Sequence, residues 1–189
     1  MINKALFFIL LFTPLNAFSQ NLLEIALEDK SSIVESTPFY RELNIDTFNT
    51  FYVPRHMKSL NFKDTTLLIN LIKKSNLKLD TSKWNQTEFT KKIVVKEEGE
   101  FIKVKKALSL FPNLNEEEQK ALKKEIRKYN NRTSSWRSFP IAVSRPVFSE
   151  NGNFSLITIR NGNNGGEIIL YEKRNGNWFL VGYVKRWAY

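Results

Sequence analysis

Apolar residues recur along this chain at two different spacings, and the change between them falls near residue 138. Before that point the period is helical. Leu22, Leu23, Ala26 and Leu27 share one stripe of a short helix over 21–30. Leu67, Leu68, Leu71 and Ile72 make a second stripe behind Asp64, a residue suited to accept from an early backbone N–H as N-cap. Ser75-Asn76 ends that helix. The clearest helix starts at Asn115, with Glu118 placed to reach back in a capping box. Glu116 to Glu118 stand at the end of the dipole that favours negative charge, and Lys123, Lys124, Arg127 and Lys128 toward the end that favours positive. Its buried stripe is Leu122, Ile126 and Tyr129, and Asn130-Asn131 closes it.

Period-two patterns take over afterwards. Ile141–Val143 reads as a short strand, and Asn153–Arg160, Glu167–Arg174 and Asn177–Trp187 as three longer ones. Asn151-Gly152 and Asn175-Gly176 are dipeptides suited to type I′ turns, and Asn161–Gly166 is a glycine-rich connection. In the last strand Trp178, Leu180 and Val184 fall on one side and Phe179, Val181 and Tyr183 on the other. A strand apolar on both faces requires cover on both. Upstream, Phe48–Val53 reads as a strand closed by Pro54, and Lys91–Lys96 with Glu100–Lys105 as a hairpin turning at Glu98-Gly99.

These elements predict an α+β fold in which an antiparallel β-meander in the carboxyl-terminal third packs against helices from the amino-terminal part. The expected organisation is one domain over 21–189. Its 21–137 portion is mainly helical with a hairpin near 91–105, and 138–189 forms the meander. Six of the seven glycines lie at 152 or beyond, which fits that division.

Residues 1–20 follow a different logic. Lys4 precedes the apolar run Ala5–Phe12, Pro14 breaks it, and Ala17-Phe18-Ser19 places small residues at the two positions a signal peptidase reads. The run is shorter than the roughly 20 residues that cross a bilayer. The expectation is a cleaved signal peptide and a mature protein that is periplasmic or secreted. With no cysteine in the chain, thiol-linked lipid anchors, disulfides and thiolate chemistry are not expected, and stability must come from an apolar core. The formal charge is +10, and Lys4 is the only charge before residue 21, so +9 stays with the mature chain. Such an excess points to anionic partners, a macromolecule or an envelope surface.

The carboxyl-terminal pattern resembles one found in small exported bacterial proteins of unknown function. It runs through Ser144-Arg145-Pro146-Val147-Phe148-Ser149, the glycine-rich loop Asn161–Gly166, Leu170-Tyr171-Glu172-Lys173, the turn Asn175-Gly176, Trp178 and Trp187, with Lys83-Trp84 upstream. The chain ends Trp-Ala-Tyr where Trp-x-Ser is the more familiar ending. The resemblance covers the last fifty residues or so, and implies a shared fold and an exported life but no activity.

No catalytic residue set and no metal or cofactor site emerges. His56 is the single histidine and lies outside any nucleophile or metal motif. Asn161, Asn163, Asn164 and Glu167 supply oxygens without the dense aspartate pattern of a calcium loop. The glycine-rich loop lacks the Lys-Ser/Thr ending of a phosphate loop, and its plain reading is a flexible hairpin connection. More suggestive is a run of cations interleaved with an aromatic: Lys123, Lys124, Arg127, Arg132, Trp136 and Arg137 are the candidate binding residues for a polyanion. The plain alternative is a solvated helix face partly offset by Glu116–Glu118 and Glu125. Trp178, Trp187 and Tyr189 read first as core or edge packing, and second as a carbohydrate-binding row. Three functions follow: a non-enzymatic envelope or interaction protein, a basic hydrolase using His56 with a glutamate such as Glu167, or a polyanion-binding module.

Overall fold

In the computed structural model the described residues are 22–43, 62–77, 80–131, 133 and 138–189. The signal-peptide segment, the strand expected at Phe48–Val53 and His56 lie outside them. The elements are α1 (residues 22–26), β1 (Ile33–Glu35), α2 (Thr65–Asn76), a 3-10 turn (Gln86–Glu88), β2 (Ile93–Val95), α3 (Val104–Ser109) and α4 (Glu116–Asn130). They are followed by β3 (Ile141–Val143), β4 (Val147–Phe148), β5 (Phe154–Asn161), β6 (Gly166–Arg174) and β7 (Asn177–Trp187). The fold is α+β. One mixed sheet runs β2-β1-β3-β5-β6-β7, with β4 also paired to β5. β5, β6 and β7 form the antiparallel meander, while β1 pairs in parallel with both β2 and β3.

The sheet is covered on both faces. On one face Val34, Ile141, Val143, Ile157, Ile159, Ile169, Tyr171 and Trp178 pack under the α1 stripe Leu22, Leu23, Ala26 and Leu27, with Trp84 and Phe89. On the other, Leu68, Leu71 and Ile72 of α2 cover Leu156, Ile168, Leu170 and Val184. Beside them on this second face, α3 and α4 cover Ile33, Ile93 and Val95 through Ala107, Leu122, Ile126 and Tyr129. Burying an aliphatic side chain of this kind stabilises by about 2 kcal/mol, which is what the helical stripes contribute in return for ordering the sheet.

The helix caps form as their sequences predict. The Asp64 side chain accepts from the Leu67 amide at 2.9 Å, and Asn115 and Glu118 close a reciprocal capping box. The expected hairpin over 91–105 does not form. Ile93–Val95 is a strand and Gly99 turns the chain at φ +89°, but β2 pairs with β1 in parallel and the chain from Val104 is helical. Competing partners explain this. The Asn130 side chain takes both the amide and the carbonyl of Ile102, and the Glu100 carboxylate takes the Lys96 amide. The backbone that would have made the second arm is thereby bonded to α4 and to the turn.

Two further details depart from simple alternation. At Asn151-Gly152 only Gly152 has positive φ, and Gly152 N–H donates to Ser149 C=O, so the turn is built around Ser149–Gly152 rather than as type I′. At Asn175-Gly176 both residues have positive φ, as a type I′ turn requires. β7 also carries two register shifts, opposite Ile168/Ile169 and Leu170/Tyr171. Each bulge resets which face the next side chain takes. Trp178 and Tyr183 therefore share one face, and Val181, Val184 and Trp187 the other.

The glycine-rich connection is a close fit. A Cβ on Gly166 would lie 2.3 Å from both the Ile159 carbonyl and the Trp187 ring, so β6 meets Trp187 at a distance only glycine permits. Replacing Gly166 with alanine is expected to destabilise the fold by about 2 kcal/mol or more through overpacking. Gly152→Ala, where only the positive φ is unfavourable and space is open, should lose about 1 kcal/mol. Urea denaturation of the two variants checks the ranking.

Candidate functional site

The cations of α4 are placed by the helical period. With Leu122, Ile126 and Tyr129 buried, the outward side carries Lys120, Lys124, Arg127 and Lys128, with Lys123 at its margin. None of these five pairs with an acid among the described residues. Glu125 forms no ion pair with them: its carboxylate accepts from Ser31 Oγ and from the Ser32 amide, and ties α4 to the start of β1. Glu118 is likewise engaged, with the Asn115 amide and then Lys91; the amide bond first, and the lysine after it, hold its carboxyl below the usual range. That leaves Glu116 and Glu117 as the acids of the first turn. Lys123, Lys124 and Arg127 are thus brought together, while Arg132, Trp136 and Arg137 lie outside the described residues. Three of the five cations expected in the patch therefore share one helix face, and the other two lie with Trp136 outside the described residues.

Several other residues singled out in the sequence are engaged in packing and ion pairs. Glu167 is buried at 6% exposure, ion-paired with Lys30 and 3.6 Å from Arg186. Lys30 belongs to the turn after α1, so this pair fastens the first helix to β6. Nor is the 161–166 connection loose: Asn161 N–H donates to Gly165 C=O, and Asn164 N–H to Asn161 C=O. Among the described residues no three acids or histidines gather as a metal site. Trp178 is buried at 4% and packs on Phe148, whereas Tyr189 is 77% exposed, so these aromatics do not line up as one exposed row.

Two constellations were not legible beforehand. Arg145 stacks 3.6 Å from the Trp84 ring centroid and donates to the Ser82 and Lys83 carbonyls and to Glu88. Trp84 in turn donates its indole N–H to the Val143 carbonyl at 3.0 Å. This locks the 82–88 segment onto the gap between β3 and β4, where Pro146 has no N–H for the ladder. The second constellation is at the opposite end of β5. Arg160 pairs with Glu35 through two contacts of 2.8 Å and lies 4.9 Å from the Phe39 ring; Phe39 faces Trp187, and Arg41 lies 4.3 Å from the Trp187 ring. The Arg145 contacts join segments 57 to 63 positions apart and the Arg160–Glu35 pair segments 125 apart, so neither is announced by a local spacing.

Clefts accompany these features. One of about 480 Å³ lies between α1 and the 88–92 segment, floored by Leu23, Leu27 and Phe89 and rimmed by Glu24, Glu28 and Lys91. A second of about 650 Å³ separates α2 from the Phe148–Asn151 turn. A third, about 410 Å³, lies beside Glu35, Arg160 and Tyr189. Among the described residues no helix is long and apolar enough to cross a membrane. No known protein family, curated protein or solved structure matches the chain.

Arg145→Met is expected to destabilise the protein by about 3 kcal/mol by leaving Glu88 and two carbonyls without their donor. Arg145→Lys should recover little of this, because an ammonium supplies neither the fork nor the flat stacking surface. Chemical denaturation measures both. A pH effect follows from the tyrosines. Burial pushes the Tyr40 hydroxyl up to about 12, and burial, then Tyr183 and Glu167, push Tyr171 up as well. The unfolded chain loses these protons from pH about 10, before the folded one does, so stability contributed by both groups is intact below that pH and falls as pH rises toward about 12. Tyr40→Phe/Tyr171→Phe should flatten the alkaline limb of a stability–pH curve.

Proposed function

We propose that the mature chain is a non-enzymatic exported protein that binds an anionic macromolecule or an anionic envelope surface through the outward face of α4. The observation that carries this reading is the set of five cations on that face, Lys120, Lys123, Lys124, Arg127 and Lys128, without acid partners among the described residues. Two of the nearby acids, Glu118 and Glu125, are turned to the helix cap and to β1, which leaves Glu116 and Glu117 at the first turn, on the far side of Lys120 from the other four cations. A solvated cationic face of this kind gains affinity by releasing counterions from a polyanion, and loses it steeply as salt is added. The basic balance of the whole chain favours the encounter. The signal-peptide pattern of residues 1–20 and the resemblance to small exported proteins support a role outside the cytoplasm. Engagement of Glu167 with Lys30 and Arg186 favours binding over acid–base chemistry at that residue.

The test is retention on heparin, and co-sedimentation with vesicles of anionic phospholipid, across a salt series. Lys123→Glu/Lys124→Glu/Arg127→Glu should abolish retention near physiological salt, and each cation removed should lower the salt slope by about one. Because these side chains are largely solvated, thermal unfolding should barely move. Retention by the triple variant with an unchanged slope would refute the reading.

A further inference from the structure

A second, smaller cationic place lies on the same side of the sheet but at its other edge. Lys185 and Trp187 are two residues apart on β7, opposite Ile168 and Gly166, and so point to the same face. The Arg41 guanidinium lies over the Trp187 ring at 4.3 Å. Phe39 packs at the side of that ring, and Gly166 holds it from beneath. Trp187 is thereby fixed as a platform, and Arg41 is held on it beside Lys185.

Among the described residues no carboxylate pairs with the cations of this corner. Neither Arg41 nor Lys185 forms an ion pair or hydrogen bond with an acid among the described residues, and the Trp187 indole N–H is buried without a partner. Burial, and then the charge of Arg41, push the Lys185 ammonium below the usual lysine range. Three other shielded cations have a carboxylate partner, Lys30 in Glu167, Arg145 in Glu88 and Arg160 in Glu35, and part-buried Lys92 donates to the Lys30 carbonyl. Two like charges brought together on a fixed aromatic platform oppose folding rather than assist it. Perturbed, unmatched charges of this kind cluster where a ligand supplies the missing countercharge.

We infer that Arg41 and Lys185, mounted on Trp187, form a binding site for a phosphate group. The guanidinium offers a fork that matches two oxygens of a phosphate, and the ammonium a point charge for a third. Two adjacent cations with no acid suit a dianion better than a singly charged carboxylate. The site is separate from the α4 face. β1, which α4 covers, and β7 are four strand spacings apart in the sheet, roughly 19 Å.

The probe is inorganic phosphate, titrated into the mature protein at constant ionic strength and followed by tryptophan fluorescence, with acetate in parallel. Saturable phosphate binding is expected, with acetate at least tenfold weaker. Arg41→Gln and Lys185→Gln should each weaken phosphate binding tenfold or more, while Lys123→Glu/Lys124→Glu/Arg127→Glu leaves it unchanged. In the unaltered protein the Lys185 ammonium resonance should shift along the same titration curve, a readout that does not depend on any variant folding. An unmoved Lys185 resonance, binding that survives in the Arg41→Gln/Lys185→Gln protein, or loss confined to the α4 variant would overturn the assignment. Loss in the α4 variant of heparin binding alone would bear only on the proposed function.

Discussion

The fold depends on the two-sided burial of β5 and β6. Leu156, Ile157 and Ile159 in one strand and Ile168, Ile169 and Leu170 in the other leave almost no surface to water on either face. A sheet with such a centre cannot stand with one side wet, so the chain must supply cover twice. α1 supplies it on one face, and α2, α3 and α4 share the other. The covering helices are amphipathic and only moderately long, so their outward sides stay polar and available. The cationic face of α4 is a direct consequence: a helix recruited to cover β1 and β2 carries its lysines wherever the buried stripe is not.

Ionic contacts divide by what they join. Lys30 with Glu167, Arg145 with Glu88 and Arg160 with Glu35 each connect segments distant in sequence, and each is shielded on at least one side. In such places an unmatched charge is strongly unfavourable, and every one of these charges has its partner. The bulges in β7 serve the same ordering. The first turns Tyr183 to the α1 face, where Arg186 stacks on it, and the second restores the alternation that sets Trp187 on the other, where Gly166 receives it. Without the two shifts, strict alternation from Trp178 would bring Val184 to the α1 face and remove it from the cover of α2.

What the sequence made legible is what local chemistry decides. The Asp64 and Asn115 caps, the stripe Leu122–Ile126–Tyr129 and the three meander strands are each written within a dozen residues, and each forms with boundaries shifted by one position or none. The hairpin over 91–105 failed because its outcome was decided elsewhere. The β-branched run Ile93–Val95 had a choice of edges, and β1, a three-residue strand with no periodic signature, was the one it took. The Asn130 side chain then removed Ile102 from competition. At the site level, Lys123, Lys124 and Arg127 were visible because one helix presents them. Arg41 and Lys185 were not, because 144 positions separate them and only the folded chain brings both to Trp187.

The two cationic places differ in kind, and the difference follows from what lies beneath each. On α4 the cations ride on a solvated helix, free to follow the contour of an extended anion and to give up counterions to it. Affinity there depends on number and spacing more than on exact direction. On β7 the platform is rigid, because Trp187 is caught between Gly166 and Arg41 and cannot turn without moving β6. A rigid pair of donors selects by shape, and its interactions strengthen as water is excluded. The polymer or surface proposed for the first face and the phosphate group proposed for the second would therefore be separable chemistries on one sheet.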